Sequence, residues 1–228
     1  MTPLFAEKKL VIATHNAGKV KEFAVLINQD GLHLLSAGEL NLPEPEETGL
    51  TFAENALLKS RAAASAAQLP ALADDSGLSI DALDGQPGIY SARWMKETGE
   101  GAVVPSAGSV VRSTEASHQQ GTEQSRQTNP AFQKIQTMLE EKNINPNGAT
   151  ASFIAVLALT LPSGKTYMAE GKITGQLCFP PRGDHGHGYD PIFIPDGDTR
   201  TFAEMTMDEK NNYSHRARAV LELKKQIG

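Results

Sequence analysis

Hydrophobic and polar positions alternate in blocks that predict a mixed α/β chain. Lys9 to Thr14 is a short β-branched run, and Lys19 to Ile27 follows it with helical spacing, so the chain opens as strand, loop and helix. A second strand is expected around Leu32 to Ser36, and the acidic, proline-bearing stretch from Asn41 to Gly49 reads as a loop. Thr51 and Glu54 have capping-box spacing at the head of an alanine-rich helix through Gln68, which Pro70 ends. Ala71 to Asp74 and Leu78 to Asp81 are expected as two short strands broken at Asp75, Ser76 and Gly77, because charge interrupts the apolar run there.

Beyond Gly99 the composition turns to Ser, Gln, Thr, Gly and Glu, which predicts a polar, flexible insertion over 99–129 within a single domain spanning 1–228. Helical spacing returns from Pro130 to Lys142. Ala149 to Leu161 and Lys165 to Leu177 then predict a long antiparallel hairpin turning at Pro162, Ser163 and Gly164. Pro180 to Asp190 is a glycine-rich loop, Pro191 to Ile194 a short strand, and Ser214 the expected N-cap of a terminal helix reaching Ile227.

Composition narrows the function classes. In 228 residues, 27 acidic against 21 basic side chains give a formal net charge of −6, which argues against a broad nucleic-acid surface but permits a local basic pocket for a small anion. The apolar runs are too short for a membrane span, and Met1 to Lys9 lacks the apolar core of a signal peptide, so a cytoplasmic location is expected. The single cysteine, Cys178, has no disulfide partner and reads as a small buried hydrophobe.

Four segments carry candidate chemistry. Thr14, His15, Asn16, Ala17, Gly18 and Lys19 place a strand end, a helix N-terminus and an ammonium together, as a polyphosphate site requires, although an ordinary strand-to-helix turn would look similar. It is not a Walker A loop, since Ala13 stands at the first glycine and Val20 follows the lysine. Glu46, Glu47, Asp74 and Asp75 offer hard oxygen ligands suited to magnesium. Neighbours on a strand face opposite ways, so only one of Asp74 and Asp75 can point into a given site. Gly183 to Phe193 is a glycine-rich loop able to approach a flat ligand; His185 and His187 with Asp184 and Asp190 lack an established zinc spacing. Lys210, His215 and Arg216 put basic groups at a helix start, where an anion or a base oxygen would explain them.

Taken in order, Thr14 to Lys19 with Glu22, E-E-T-G-L-T-F-A-E-N-A (Glu46 to Ala56), A-D-D-S-G-L (Ala73 to Leu78), P-G-I-Y-S-A-R (Pro87 to Arg93), G-Y-D-P-I-F (Gly188 to Phe193) and S-H-R (Ser214 to Arg216) resemble the inosine triphosphate pyrophosphatase family over nearly the whole chain. The resemblance implies an elongated, two-lobed α/β fold with a mixed sheet, a cleft between the lobes, and a homodimer. It implies hydrolysis of the α,β phosphoanhydride of inosine and xanthosine triphosphates. By position, Thr14 to Lys19 would hold the triphosphate, Glu46 and Asp75 would organise Mg2+, and Asp75 would be the general base. Ser76, His187, Gly188, Tyr189, Asp190, Lys210, His215 and Arg216 would contact the nucleotide.

Three features depart from the family pattern: His15 replaces a common glycine, His187 stands where phenylalanine is frequent, and the 99–129 insertion is long and polar. The alternatives are a Maf-type pyrophosphatase acting on pyrimidine or modified nucleotides, and a nucleotide-binding protein without hydrolytic activity.

Overall fold

The computed structural model describes residues 8–97 and 129–227. Its six strands form one mixed sheet in the order β2-β1-β3-β4-β5-β6. Strand β1 (Lys9–Ile12) leads through helix α1 (Ala17–Ile27) to β2 (His33–Ser36), which pairs parallel to it. Helix α2 (Phe52–Ala67) returns the chain to β3 (Ala71–Ile80), parallel to β1 on its other side. Thr51 starts α2 with the expected capping box, its hydroxyl accepting from the Glu54 amide while Glu54 accepts from the Thr51 amide.

The remaining strands are antiparallel. A hairpin of β4 (Thr150–Thr160) and β5 (Thr166–Leu177) turns at Gly164, whose φ of 86° suits glycine. A short β6 (Phe193–Pro195) closes the edge. Its start corrects the expectation of a strand from Pro191, because residues 190–192 form a 3-10 turn.

The expected break in β3 is also corrected. The strand runs unbroken, and every residue from Ala71 to Ile80 has a partner in β4, from Thr160 to Ala151. Its two charges are tolerated because opposite charges meet them, as described below. Gly77 serves a close approach within the strand: a Cβ there would lie 2.4 Å from both the Gly88 carbonyl and the Ser91 hydroxyl.

Two short helices, α3 (Ser91–Glu97) and α5 (Met207–Asn211), carry too few periodic residues to be read from the sequence. The expected helix over 130–142 is α4 (Pro130–Glu141), capped by Asn129; the rest of the 99–129 insertion lies outside the described residues. The terminal helix α6 (His215–Ile227) begins as expected after Ser214, whose hydroxyl accepts from the Ala217 amide at 3.2 Å. Among the described residues, no helix is long and apolar enough to cross a membrane.

Side-chain parity on β1 and β3 sorts the core. Leu10, Ile12 and Leu72 face α1 and α6, packing with Phe23, Ile27, Val220 and Leu223. Val11 and Ala71, one residue out of phase, face α2 and meet Ala63 and Ala64. The alanines let α2 lie close to the sheet, so a longer side chain on that helix face must either clash or carry a role. At the far end, Leu78, Ile80, Phe132, Phe153, Phe193 and Phe202 belong to a separate aromatic-rich cluster.

Candidate active site

The site follows from where β1 stops. Pairing between β1 and β3 ends at Ile12 and Leu72, so Asp74, Asp75 and Ser76 lie just beyond the carboxyl end of β1, where α/β folds place ligands. The loop 13–16 and the start of α1 border the same opening. Asn16 caps α1 by accepting from the Gly18 and Lys19 amides at 2.8 and 3.3 Å. Two helix-start donors are therefore already taken, which modifies the expected anion cradle: the Lys19 ammonium is the main positive group of this loop. Thr14 accepts from the Asn16 amide, while His15, Asn16 and Ala17 are exposed.

Parity then separates the two aspartates, as expected of neighbours on a strand. Asp74 shares the Leu72 face and meets α1 and α6. Its Oδ2 lies 2.8 Å from Lys19 Nζ, and it accepts from Arg216 Nε at 3.3 Å and Ser76 Oγ at 3.2 Å. Arg216 is buried and extends the network, donating to Glu22 at 3.1 Å and to Ser76 at 2.7 Å. Burial works to raise the Asp74 pKa, but the charges of Lys19 and Arg216 overcome it and hold the carboxyl well below the usual range.

Asp75 shares the Ala71 face and meets α2. Lys59 Nζ lies 2.8 Å from Asp75 Oδ1 and 2.7 Å from Glu47 Oε1, and Asn55 donates to Asp75 Oδ2 at 3.4 Å. Here burial prevails over the attraction of Lys59, so the Asp75 pKa is raised, with Glu47 and Asp74 adding to the rise. One aspartate is thus held firmly as an anion, and its neighbour is made more basic.

Sequence reasoning missed Lys59 and Asn55. The signal was present: Asn55, Lys59 and Ala63 recur every four residues on the α2 stripe that faces the sheet, and a lysine on such a stripe requires a partner. Both Glu46 and Glu47 are exposed, and the contact with Lys59 joins Glu47 to Asp75.

A second group lies across the opening. Asp190 is buried and its Oδ2 accepts from Lys210 at 2.6 Å and from the His187 amide at 2.9 Å, which ties the glycine-rich loop to α5. Gly186, at φ 72°, leaves room for that carboxylate, since a Cβ would stand 2.2 Å from Asp190 Oδ2. His187 is exposed and Gly188, at φ 64°, continues the turn. Tyr189 points into the core, where its hydroxyl donates to the Ser91 carbonyl at 3.1 Å. Its part in any nucleotide contact is therefore support of the loop. Among the described residues, no group of three or more His, Cys, Asp or Glu gathers as metal ligands.

His215 is buried and stacks on Phe153 with centroids 4.9 Å apart and planes at 12°. Asp74 Oδ1 and His215 Nδ1 are buried with no hydrogen-bond partner among the described residues, so polar ligand atoms or water are favoured beside both. Burial first, then the charges of Arg216 and Lys210, hold the His215 pKa well below the ordinary imidazole value. The unfolded chain protonates this residue near pH 6.5 while the folded chain does not, so its stability contribution is full above that pH and declines below it. We expect stability to fall between pH 6.5 and pH 5 by up to about 1.4 kcal/mol per pH unit from this residue. His215→Gln, which cannot ionise, should flatten that part of a Tm–pH curve; an unchanged curve would show that the decline has another source.

Known proteins resemble this chain over nearly its whole length. A family model described as "Ham1 family" matches residues 10–226. A dITP/XTP pyrophosphatase of Gluconobacter oxydans is 45% identical over 220 residues, covering 96% of this chain and 91% of that protein. One from Rhodospirillum centenum is 47% identical over 219 residues, with 96% and 94% coverage. Among solved structures, a HAM1 protein from Coxiella burnetii is similar with a TM-score of 0.74 and 33% identity, covering 96% of this chain and 98% of that one. The Ham1 protein of Staphylococcus aureus gives a TM-score of 0.71 at 31% identity, with 96% and 97% coverage.

Proposed function

The chain belongs to the Ham1 family, and we propose that it is a Mg2+-dependent pyrophosphatase that releases pyrophosphate from dITP, ITP and XTP, leaving the monophosphate. The observation that carries this reading is the Glu47–Lys59–Asp75 arrangement beside the Lys19 loop. An ammonium sits between two carboxylates at 2.7 and 2.8 Å, so this pocket already accepts a cation between hard oxygen donors. Magnesium is held by one or two carboxylates plus substrate phosphates, so Asp75 with a carboxylate of the Glu46–Glu47 pair fits it. When bound, the ion would neutralise charge on the phosphate oxygens and assist activation of water.

The chain's own residues supply the rest. Lys19 offers a positive charge to the triphosphate where the loop 14–19 opens. Asp75, with its raised pKa, is the general base that takes a proton from the attacking water. Arg216 holds Ser76 and Asp74 in place, and His215 presents an unpartnered Nδ1 from a dry setting. His187, Gly188 and Asp190 shape the loop opposite, with Lys210 fixing Asp190. A base with an oxo group at position 6 can accept from donors on this side, whereas an amino group would leave them unpaired.

Further parts of the proposal are a cytoplasmic homodimer and a single domain over residues 1–228. The lone cysteine and the negative net charge support a reducing compartment and a small-molecule substrate in preference to nucleic acid.

The test is pyrophosphate release from inosine, xanthosine, guanosine, adenosine, thymidine and uridine triphosphates, each with Mg2+ and with chelator. Fast turnover of the first two only, lost on chelation, is the expected result. Preference for a pyrimidine would favour the Maf-type alternative, and binding without turnover would leave a nucleotide-binding protein.

A further inference from the structure

The geometry points to Asn55 as a positioning residue that fixes the acidic loop ending at Gly49 against Asp75, and so sets the spacing of the carboxylates that hold the divalent cation. This rests on the metal reading above. Asn55 is 2% exposed and lies in the first turn of α2. Its Oδ1 accepts from the Gly49 amide at 2.8 Å, and its Nδ2 donates to Asp75 Oδ2 at 3.4 Å. One side-chain amide therefore touches both halves of the cation site: the backbone two residues beyond Glu47, and the carboxylate of Asp75.

The start of α2 does not need Asn55 for its own sake. The Leu50 and Thr51 amides are accepted by Glu54 Oε2 at 2.7 and 3.1 Å, and the Glu54 amide is accepted by Thr51. These bonds complete the capping box, and Asn55 adds only the links to Gly49 and Asp75. Packing does not require an amide either. A buried polar side chain costs stability unless both its ends are bonded, and an apolar residue of similar size would fill the same space. The fit is close: a Cβ on Gly49 would stand 2.6 Å from Asn55 Oδ1 and 2.7 Å from Glu54 Cβ, so the loop can approach Asn55 only with glycine there.

Two variants perturb the link from opposite sides. Asn55→Leu removes both hydrogen bonds while keeping a good helix former of similar volume. Gly49→Ala pushes the loop away from Asn55 without altering Asn55, Asp75, Glu46 or Glu47. The probe is Mn2+, titrated against the nucleotide-free protein and followed by loss of the free-ion electron paramagnetic resonance signal. A supporting site of this kind is expected to matter about tenfold in metal affinity.

Both variants should therefore bind Mn2+ about tenfold more weakly than the parent, with a matching rise in the Mg2+ concentration that half-saturates inosine triphosphate hydrolysis and with kcat largely recovered at saturating Mg2+. Mn2+ affinity within twofold of the parent in both variants, whatever their Tm, would reduce Asn55 to a structural residue. If Asn55→Leu does not fold, Gly49→Ala alone decides between the two results. A nucleotide-free parent that binds no Mn2+ would overturn the preformed cation site and Asn55's part in it, and a parent that hydrolyses nucleotide in chelator would overturn the metal reading itself; both failures are distinct from parent binding that neither variant alters.

Discussion

Asp75→Asn is expected to lower kcat for inosine triphosphate on the order of 10³-fold while leaving nucleotide binding measurable. Asparagine has nearly the same shape but neither takes a proton from water nor brings a negative charge to the cation. The structure adds a second expectation. Because burial raises the Asp75 pKa, the folded protein holds the ionised form at a cost that the unfolded chain does not bear. Neutralising the residue removes that cost but leaves the buried Lys59, whose pKa Asp75 raises, with Glu47 as its one remaining anion, so the two effects oppose each other and Tm should change little.

Asp74→Asn supplies the contrast. Its pKa is depressed by Lys19 and Arg216, so its charge stabilises the fold above the unfolded carboxylate range, and that contribution is lost in the variant at neutral pH. Of these adjacent substitutions of the same kind, Asp74→Asn should therefore lower Tm more than Asp75→Asn. Thermal melts and pyrophosphate release on the two proteins read this directly; turnover surviving in Asp75→Asn would remove it as the base.

Arg216→Met should have the largest effect on stability. The guanidinium is buried and bonded to Asp74, Ser76 and Glu22, and the last of these is only 3% exposed. Removing it leaves two buried carboxylates short of their cation, at a cost of about 3–5 kcal/mol. For a chain of this size that corresponds to a fall in Tm of roughly 10 °C. Lys19 still faces Asp74, so the loss concentrates on Glu22 and on the contact between α1 and α6. Arg216→Lys should recover only part of it, because an ammonium cannot reach three partners in one plane. Full recovery by lysine in a thermal melt would mean that charge alone, and not the planar fork, holds this network.

Much of the architecture was legible along the chain. The capping box at Thr51, the alanine-rich α2, the β4–β5 hairpin and the terminal helix each rest on local spacing, and local spacing is what a sequence displays. The motifs also carried the family and the acidic centre. Where local signals pointed the wrong way, as in the expected break of β3 at Asp75, the deciding groups were distant in sequence: β4 supplies the hydrogen-bonding partner, and Lys59, Lys19 and Arg216 supply the countercharges.

The sequence by itself determined that Asp74 and Asp75 face apart if both lie on one strand, since strand geometry alternates side chains, and pairing with β4 is what carries β3 through Asp75. Only the tertiary structure decided what each meets. Asp74 faces α1 and α6 and becomes a firmly held anion, while Asp75 faces α2 and becomes a raised-pKa carboxylate beside Lys59 and Glu47. The same applies to Tyr189, which the glycine-rich loop turns into the core, and to Asn55, whose two bonds span residues 49 and 75. A charge's pKa and a side chain's partners depend on desolvation and on groups brought from elsewhere in the chain, and those are fixed by packing.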